Sequence, residues 1–382
     1  MSGRSWMTRS KPAPAHHYSH RGLLRHHLPW GRRARLDAII VPSARSAGAV
    51  EHAGDLARQV DCALIVLASR AAVGAEILET LAPLKLRQLF VVDVPEKIAK
   101  LPVFETSGIL RRENMARSTD VSAKRNVGLA VARMAGLHRV LFLDDDMRIP
   151  EAESLKVAAG LLRSHDAVGL KLEGFPDNSV VCHANRETGG FQDTFVGGGA
   201  LLAATEREMS FFPDVYNEDW FFLLNRSRLR PVTVAGRAEQ DAYDPFATEE
   251  RARLEEFGDV MAEGIFAILD DAGELGEADR EYWRGFLDRR LELIERTQLR
   301  INLVRRADRK KVARSLRAAR DQLTSRITPE LCVEYLHAWQ RDLANWIDVC
   351  DRLEKKRTVE EALGYFGLTC AEPAKADCFA SV

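Results

Sequence analysis

The chain has 382 residues, 46% of them hydrophobic and 29% charged, with a formal net charge of -1. That length and balance describe a globular protein with ample core material and room for two parts, and they exclude a disordered polymer or a dedicated polyanion binder. The six cysteines form no CxxC pair, no apolar run approaches the length of a membrane span, and no cleavable leader is evident. Free thiols, no membrane span, no nucleic-acid partner and a cytoplasmic setting are therefore expected.

In chain order, residues 1–35 contain no acid, several arginines and five histidines (His16, His17, His20, His26, His27). With no hydrophobic period to bury, they read as a disordered basic tail. From Leu36 the pattern changes to short apolar runs alternating with amphipathic stretches. Leu36–Pro42, Ala63–Ala68 and Gln88–Asp93 read as buried strands, and Ala47–Val60 and the residues up to Leu84 as helices. Such an alternation predicts an α/β fold with a parallel sheet covered on both faces and a ligand crevice at its strand ends.

The spacing of Val127, Leu129, Ala130 and Met134 predicts a helix over Ser122–Met134 that stops at Gly136, followed by a strand from Arg139 into Asp144-Asp145-Asp146. Acids gathered at a strand end repel one another unless a cation compensates, and hard oxygen ligands suit Mg2+ or Mn2+. Acids capping the helix near Glu151 would look similar. The P-loop enzymes that share a strand-then-acid pattern require GxxxxGK[ST], which is absent, as is the GxSxG elbow of many hydrolases. After Thr248 the character turns to long, charged, Leu- and Arg-rich segments, which predict a helical domain over 247–367 and a frayed tail over 368–382.

Four segments together resemble family 2 glycosyltransferases of the GT-A fold: Lys124-Arg-Asn-Val-Gly128, the Asp144-x-Asp146 pair, Phe195-Val-Gly-Gly-Gly-Ala-Leu-Leu202 and Asn217-Glu-Asp-Trp220. Each is common alone; their order across Leu36–Phe246 carries the resemblance. It implies a GT-A (nucleotide-diphospho-sugar transferase-like) Rossmann-type catalytic domain over 36–246 that moves a sugar from a UDP- or GDP-linked donor to an acceptor.

By that resemblance, Asp146 binds the metal and Asp144 contacts the metal shell or the ribose with Asp145 beside it; Lys124 and Arg125 read as permanent cations on the phosphates or nucleotide, or equally as surface charges at a helix start. Gly198 and Gly199 would underlie the donor sugar, or else form a strand bulge. Asp219 would be the general base of an inverting transfer, or a helix cap, with Glu218, Trp220 and His183 on the acceptor side. Core packing is the alternative for Trp220, and a structural histidine for His183.

Pro42-Ser-Ala-Arg-Ser46 departs from the family's first turn, so Pro42, Ser43 and Arg45 are expected nucleotide contacts by position only. Asp93 is one strand later than the usual base-reading aspartate, and reads equally as a cap. Relatives with a third metal ligand place a histidine after the acceptor segment; here Gln240, Asp241 or Asp244 would take that place, or water. The helical domain would cover the acceptor cleft or mediate homo-oligomerisation. Two other functions fit parts of this pattern, a sugar-phosphate nucleotidylyltransferase and a non-catalytic binding protein.

Overall fold

The computed structural model describes residues 16–24, 33–175, 179–193, 195–303 and 308–373. Three strands and their helices come first: β1 (Ala38–Ser43), α1 (Glu51–Val60), β2 (Ala63–Ala68), α2 (Gly74–Leu81), β3 (Leu89–Asp93) and α3 (Glu105–Arg112). Next come α4 (Val121–Ala135), β4 (Arg139–Leu143), β5 (Met147–Arg148), α5 (Ala152–Leu161), β6 (Ala167–Gly174) and α6 (Val180–Glu187). The sheet is completed by β7 (Ala200–Ala204) and, after the short α7 (Glu218–Phe222), β8 (Val232–Gln240). Five helices follow: α8 (Glu249–Asp270), α9 (Arg280–Ile301), α10 (Arg309–Arg326), α11 (Pro329–Arg352) and α12 (Val359–Tyr365).

The strands form one sheet in the order β3-β2-β1-β4-β7-β6-β8-β5. β1 pairs in parallel with both β2 and β4, so the chain winds outward in opposite directions from β1 and leaves a crevice beyond the carboxyl ends of β1 and β4. An all-parallel sheet is predicted from the apolar runs, but β7 enters antiparallel between β4 and β6, and β5 pairs antiparallel with β8. The reason is local: β7 reaches β4 from the far side of the crevice, which brings the Gly197–Gly199 segment next to the acids that leave β4.

One face of the sheet packs on α1, α2 and α5 through Leu56, Ile77 and Leu155. The other face shares a continuous core with the late helices, in which Val127, Phe142 and Phe212 join Phe257, Trp283 and Trp339. The expected boundary near residue 247 is thus a change of secondary structure, and the helices after it have no core separate from the sheet's. Aspartate 342 on α11 caps the start of α3, accepting from the backbone of Glu105 and Thr106 at 2.8 and 2.9 Å.

The tail readings need correction where residues are described. His16–Leu24 is packed against the body, with His17 and His20 each 1% exposed among Phe195, Trp220 and Phe266. Rings of histidine are amphipathic and bury in an aromatic cluster although they look polar in a pattern of hydrophobicity. At the other end Cys370 bridges Val92 of β3, and the Ala371 amide donates to the Val91 carbonyl at 2.7 Å. Residues 1–15, 25–32 and 374–382 of the two expected tails lie outside the described residues.

Candidate active site

Beyond the carboxyl ends of β1 and β4 lies an open cleft of about 460 Å³, lined by Arg45, Arg125, Asp144, Asp146, Gly199, Glu218, Asp219 and Gln240, with Arg117, Tyr216, Tyr243 and Arg251 around them. The three acids leaving β4 are sorted by their neighbours. Asp145 turns back to the β1 loop, where its Oδ2 accepts from Ser43 Oγ at 2.8 Å and from the amides of Ala44 and Arg45 at 3.1 and 3.2 Å. It therefore holds the turn after β1 and leaves the cleft to its two flanking acids.

Asp144 takes two hydrogen bonds of 2.8 Å from Arg125 Nη2, and Asp146 Oδ2 accepts from the half-exposed Arg45 at 2.9 Å. Loss of hydration raises the Asp144 carboxyl above its ordinary value, with Asp146 adding repulsion and Arg125 opposing both. Asp146 is the acid best placed to exchange its partner for a metal, because Arg45 is long and reaches water. Hard carboxylate oxygen suits Mg2+ or Mn2+, which accept one or two carboxylates and complete their shell with phosphate oxygens and water. The residues present fit such an ion.

Arg125 sits at the centre. It is carried by α4, whose first turns bury Ser122, Lys124, Arg125 and Asn126, a cost repaid by hydrogen bonds at every one. Asn126 exchanges two bonds of 2.8 Å with the Phe212 backbone, and Ser122 Oγ donates to Pro213 at 2.9 Å, which fixes α4 to the strand-to-α7 connection. Arg125 then reaches Glu218 Oε1 at 2.7 Å, so one guanidinium joins the acid at the end of β4 to the acid that opens α7. Arg117 supports Glu218 from the other side at 3.2 Å.

Asp219 faces the same cleft. Asn217 adopts a left-handed conformation (φ 61°), which turns the chain into α7 and presents Asp219 toward the glycines. Its Oδ2 accepts from the Gly198 amide at 2.6 Å and its Oδ1 from the Trp220 amide at 2.9 Å. Gly198 has to lack a side chain, since a Cβ there would lie 2.7 Å from the Arg125 guanidinium and 3.0 Å from the Asp219 Cβ. Gly199 accepts the Asp144 amide at 2.9 Å, so the glycine run and the β4 acids are joined through backbone.

Several expected contacts fall elsewhere. Lys124 is buried under the strand ends, its ammonium engaged by Ser43 O at 2.7 Å, Ser69 Oγ at 2.6 Å and Asp120 at 3.2 Å; with its donors used, it braces β1 against β2 rather than meeting a phosphate. Pro42 is buried within β1 opposite Leu67. Asp93 accepts the Gly74 amide at 2.8 Å and lines no described cavity, which makes it a cap of α2. Trp220 stacks on Phe195 and meets Phe266 in the core. His183 lies one layer behind the cleft, its Nε2 3.0 Å from the hydroxyl of Tyr243. Of the three residues weighed as a further metal ligand, only Gln240 lines the cleft; Asp241 pairs with Arg148 and Asp244 with Lys311.

Arg117, Tyr216, Tyr243, Arg251 and Glu255 also line the cleft and belong to none of the sequence segments singled out above. Arg251 and Glu255 are one turn apart on α8 and bonded at 2.5 Å, and burial pushes Glu255 up to about 7 against the pull of Arg251. A helix pair of this kind carries no sequence mark that distinguishes it from a surface pair. A second cavity of about 730 Å³ shares Arg117, Ser118 and Thr119 with the first and continues past Ser69, Arg70 and Asp214 toward α3.

No protein-family model matches the chain, and no curated protein does. Among solved structures, a mannosyltransferase from Pyrobaculum calidifontis, solved in complex with GDP-Man and Mn2+, is similar at 15% identity with a TM-score of 0.40, over 87% of this chain and 90% of that one. A likeness of that degree does not define a family or an activity. Among the described residues no helix is long and apolar enough to cross a membrane.

Proposed function

We propose that the protein is a GT-A-type glycosyltransferase that moves a sugar from a nucleoside diphosphate sugar to an acceptor by single displacement with inversion. The observation that carries the reading is the convergence of Asp144 and Asp146 from β4, the glycines before β7, and Asp219 from α7 on one cleft, with Arg125 bonded to both Asp144 and Glu218. Carboxylates for a metal on one wall and an oriented carboxylate on the other suit a donor and an acceptor that meet between them.

In this reading the diphosphate lies near Arg45 and Asp146, and the nucleoside extends into the second cavity past Ser69 and Arg70. Asp146, with Asp144 and Gln240 beside it, would hold Mn2+ or Mg2+. Such an ion, when bound, neutralises the charge that collects on a leaving diphosphate. Asp219, fixed by two backbone amides, takes the proton of the acceptor hydroxyl or amine as it attacks the anomeric carbon. Arg117 and Arg251 supply further positive charge at the cleft rim.

Calorimetric titration with UDP and GDP tests the donor half. Binding of one of them that requires Mn2+ and is lost in Asp146→Ala supports it; nucleotide binding indifferent to both would remove Asp146 from the site. A nucleotidylyltransferase would instead bind a nucleoside triphosphate together with a sugar phosphate and release pyrophosphate.

A further inference from the structure

Behind the cleft, α6 and α8 and the docked segment His16–Leu24 enclose a second polar cluster that the proposed transfer does not use. Arg290 of α9 bonds Glu256 at 2.8 Å, Asp259 at 2.5 Å and Glu263 at 3.0 Å, all four side chains being at most 4% exposed. Three carboxylates surround one guanidinium in a place that water hardly reaches, and His16 pairs with the third of them. On its far side Glu263 Oε1 lies 2.7 Å from His16 Nδ1 and 3.1 Å from Cys182 Sγ, and these last two atoms are 3.8 Å apart.

We infer that His16, Cys182 and Glu263 form a binding site for a divalent metal ion of the zinc type, separate from the cleft. Imidazole nitrogen, thiolate sulfur and one carboxylate oxygen are a zinc donor set, and around a tetrahedral ion their mutual distances would be roughly 3.3–3.6 Å. The observed edges bracket that range, and the three atoms are the one such His, Cys, Asp or Glu group among the described residues. A small cavity of about 30 Å³, room for one water, is lined by Cys182 and Glu263 together with Asn217, Asp219 and Asp259, and a fourth, solvent-derived ligand would come from there.

On binding, the thiol proton leaves to solvent, the proton that His16 Nδ1 donates to Glu263 leaves with it or passes to Nε2, and the dipositive ion balances the thiolate and Glu263, whose other oxygen keeps Arg290. The ion joins three separate parts of the chain: the N-terminal segment through His16, α6 through Cys182 and α8 through Glu263. It also stiffens the approach to the cleft, because Asp259, 3.5 Å from Cys182 Sγ, accepts from Asn217 at 3.1 Å, two residues before Asp219.

The test uses cobalt as a spectroscopic probe on the full chain after treatment with chelator. Cobalt(II) should give a thiolate-to-cobalt charge-transfer band in the near ultraviolet that saturates at about one ion per chain, and zinc should abolish that band by displacement. Cys182→Ser should lose the band, His16→Gln should weaken cobalt binding on the order of a hundredfold, and Asp146→Asn should retain both, which separates this site from any ion in the cleft. A wild-type protein without a thiolate band, or a band that persists in Cys182→Ser, overturns the inference. If Cys182→Ser fails to fold by circular dichroism, His16→Gln decides: unchanged cobalt affinity refutes the site, and the stated loss upholds it.

Discussion

Replacing Arg125 by methionine keeps the stem that packs beneath the cleft and removes the charge that joins its two walls. The wild-type side chain is 3% exposed and makes two bonds to Asp144 and one to Glu218. Breaking a buried pair by deleting one partner costs about 3–5 kcal/mol. The lower end applies, because Asp144 keeps 28% of its side chain exposed and Glu218 retains Arg117. Urea denaturation at neutral pH should therefore show a loss of about 3 kcal/mol. The loss should shrink as pH falls. Asp144 is raised above its ordinary 3.8 even in the presence of Arg125, so the folded state holds its proton more tightly than the unfolded state, and protonation relieves the charge that the variant leaves exposed to no cation. A loss below about 1 kcal/mol, or one that grows toward acid, would refute the bridging role.

In Asp219→Asn the general base is removed, so turnover should fall roughly 10²–10⁴-fold with donor affinity little changed; normal turnover with lost donor binding would assign Asp219 to the donor side. Asp146→Ala should nearly abolish activity, as should excess chelator, measured as nucleoside diphosphate release, and full activity in either case contradicts a metal at Asp146. Deleting residues 1–24 should destabilise the fold by a few kcal/mol, since it uncovers the Trp220 and Phe266 cluster and removes His16 from Glu263, which keeps Arg290; an unchanged melting temperature would show that the segment is not held in solution. Glu255, ordinarily 4.5 and pushed up to about 7 by burial, binds a proton more tightly when folded. It therefore favours folding below 4.5, and that contribution is lost as pH rises through about 7. Glu255→Gln should flatten the stability profile across this window, and a profile as steep as wild type would place the titration elsewhere.

The parts of the molecule legible in the sequence are those set by local pattern. The continuous apolar runs 63–68 and 139–143 became strands, and Gly136 ends α4 in the left-handed conformation that only glycine adopts cheaply (φ 71°). Asp144, Asp146, Gly199 and Asp219 line one cleft. What the pattern concealed was direction and partnership. Nothing in 200–204 marks β7 as antiparallel, because strand sense is decided by where the chain comes from. Lys124 and Arg125 are adjacent cations that look equivalent; helix geometry sends one under the strand ends and the other into the cleft wall. The histidines of 16–20 read as a solvated tract because their burial depends on rings contributed by residues nearly two hundred and more positions away.

The central claim is sugar transfer, and its most direct measurement is the turnover of a panel of UDP- and GDP-linked sugars by the full chain with Mn2+, followed as nucleoside diphosphate release. Slow donor hydrolysis is expected with one of them, abolished by Asp146→Ala, with an inverted anomeric centre in the sugar product by NMR. No release with any donor, together with pyrophosphate release from a nucleoside triphosphate and a sugar phosphate, would contradict it.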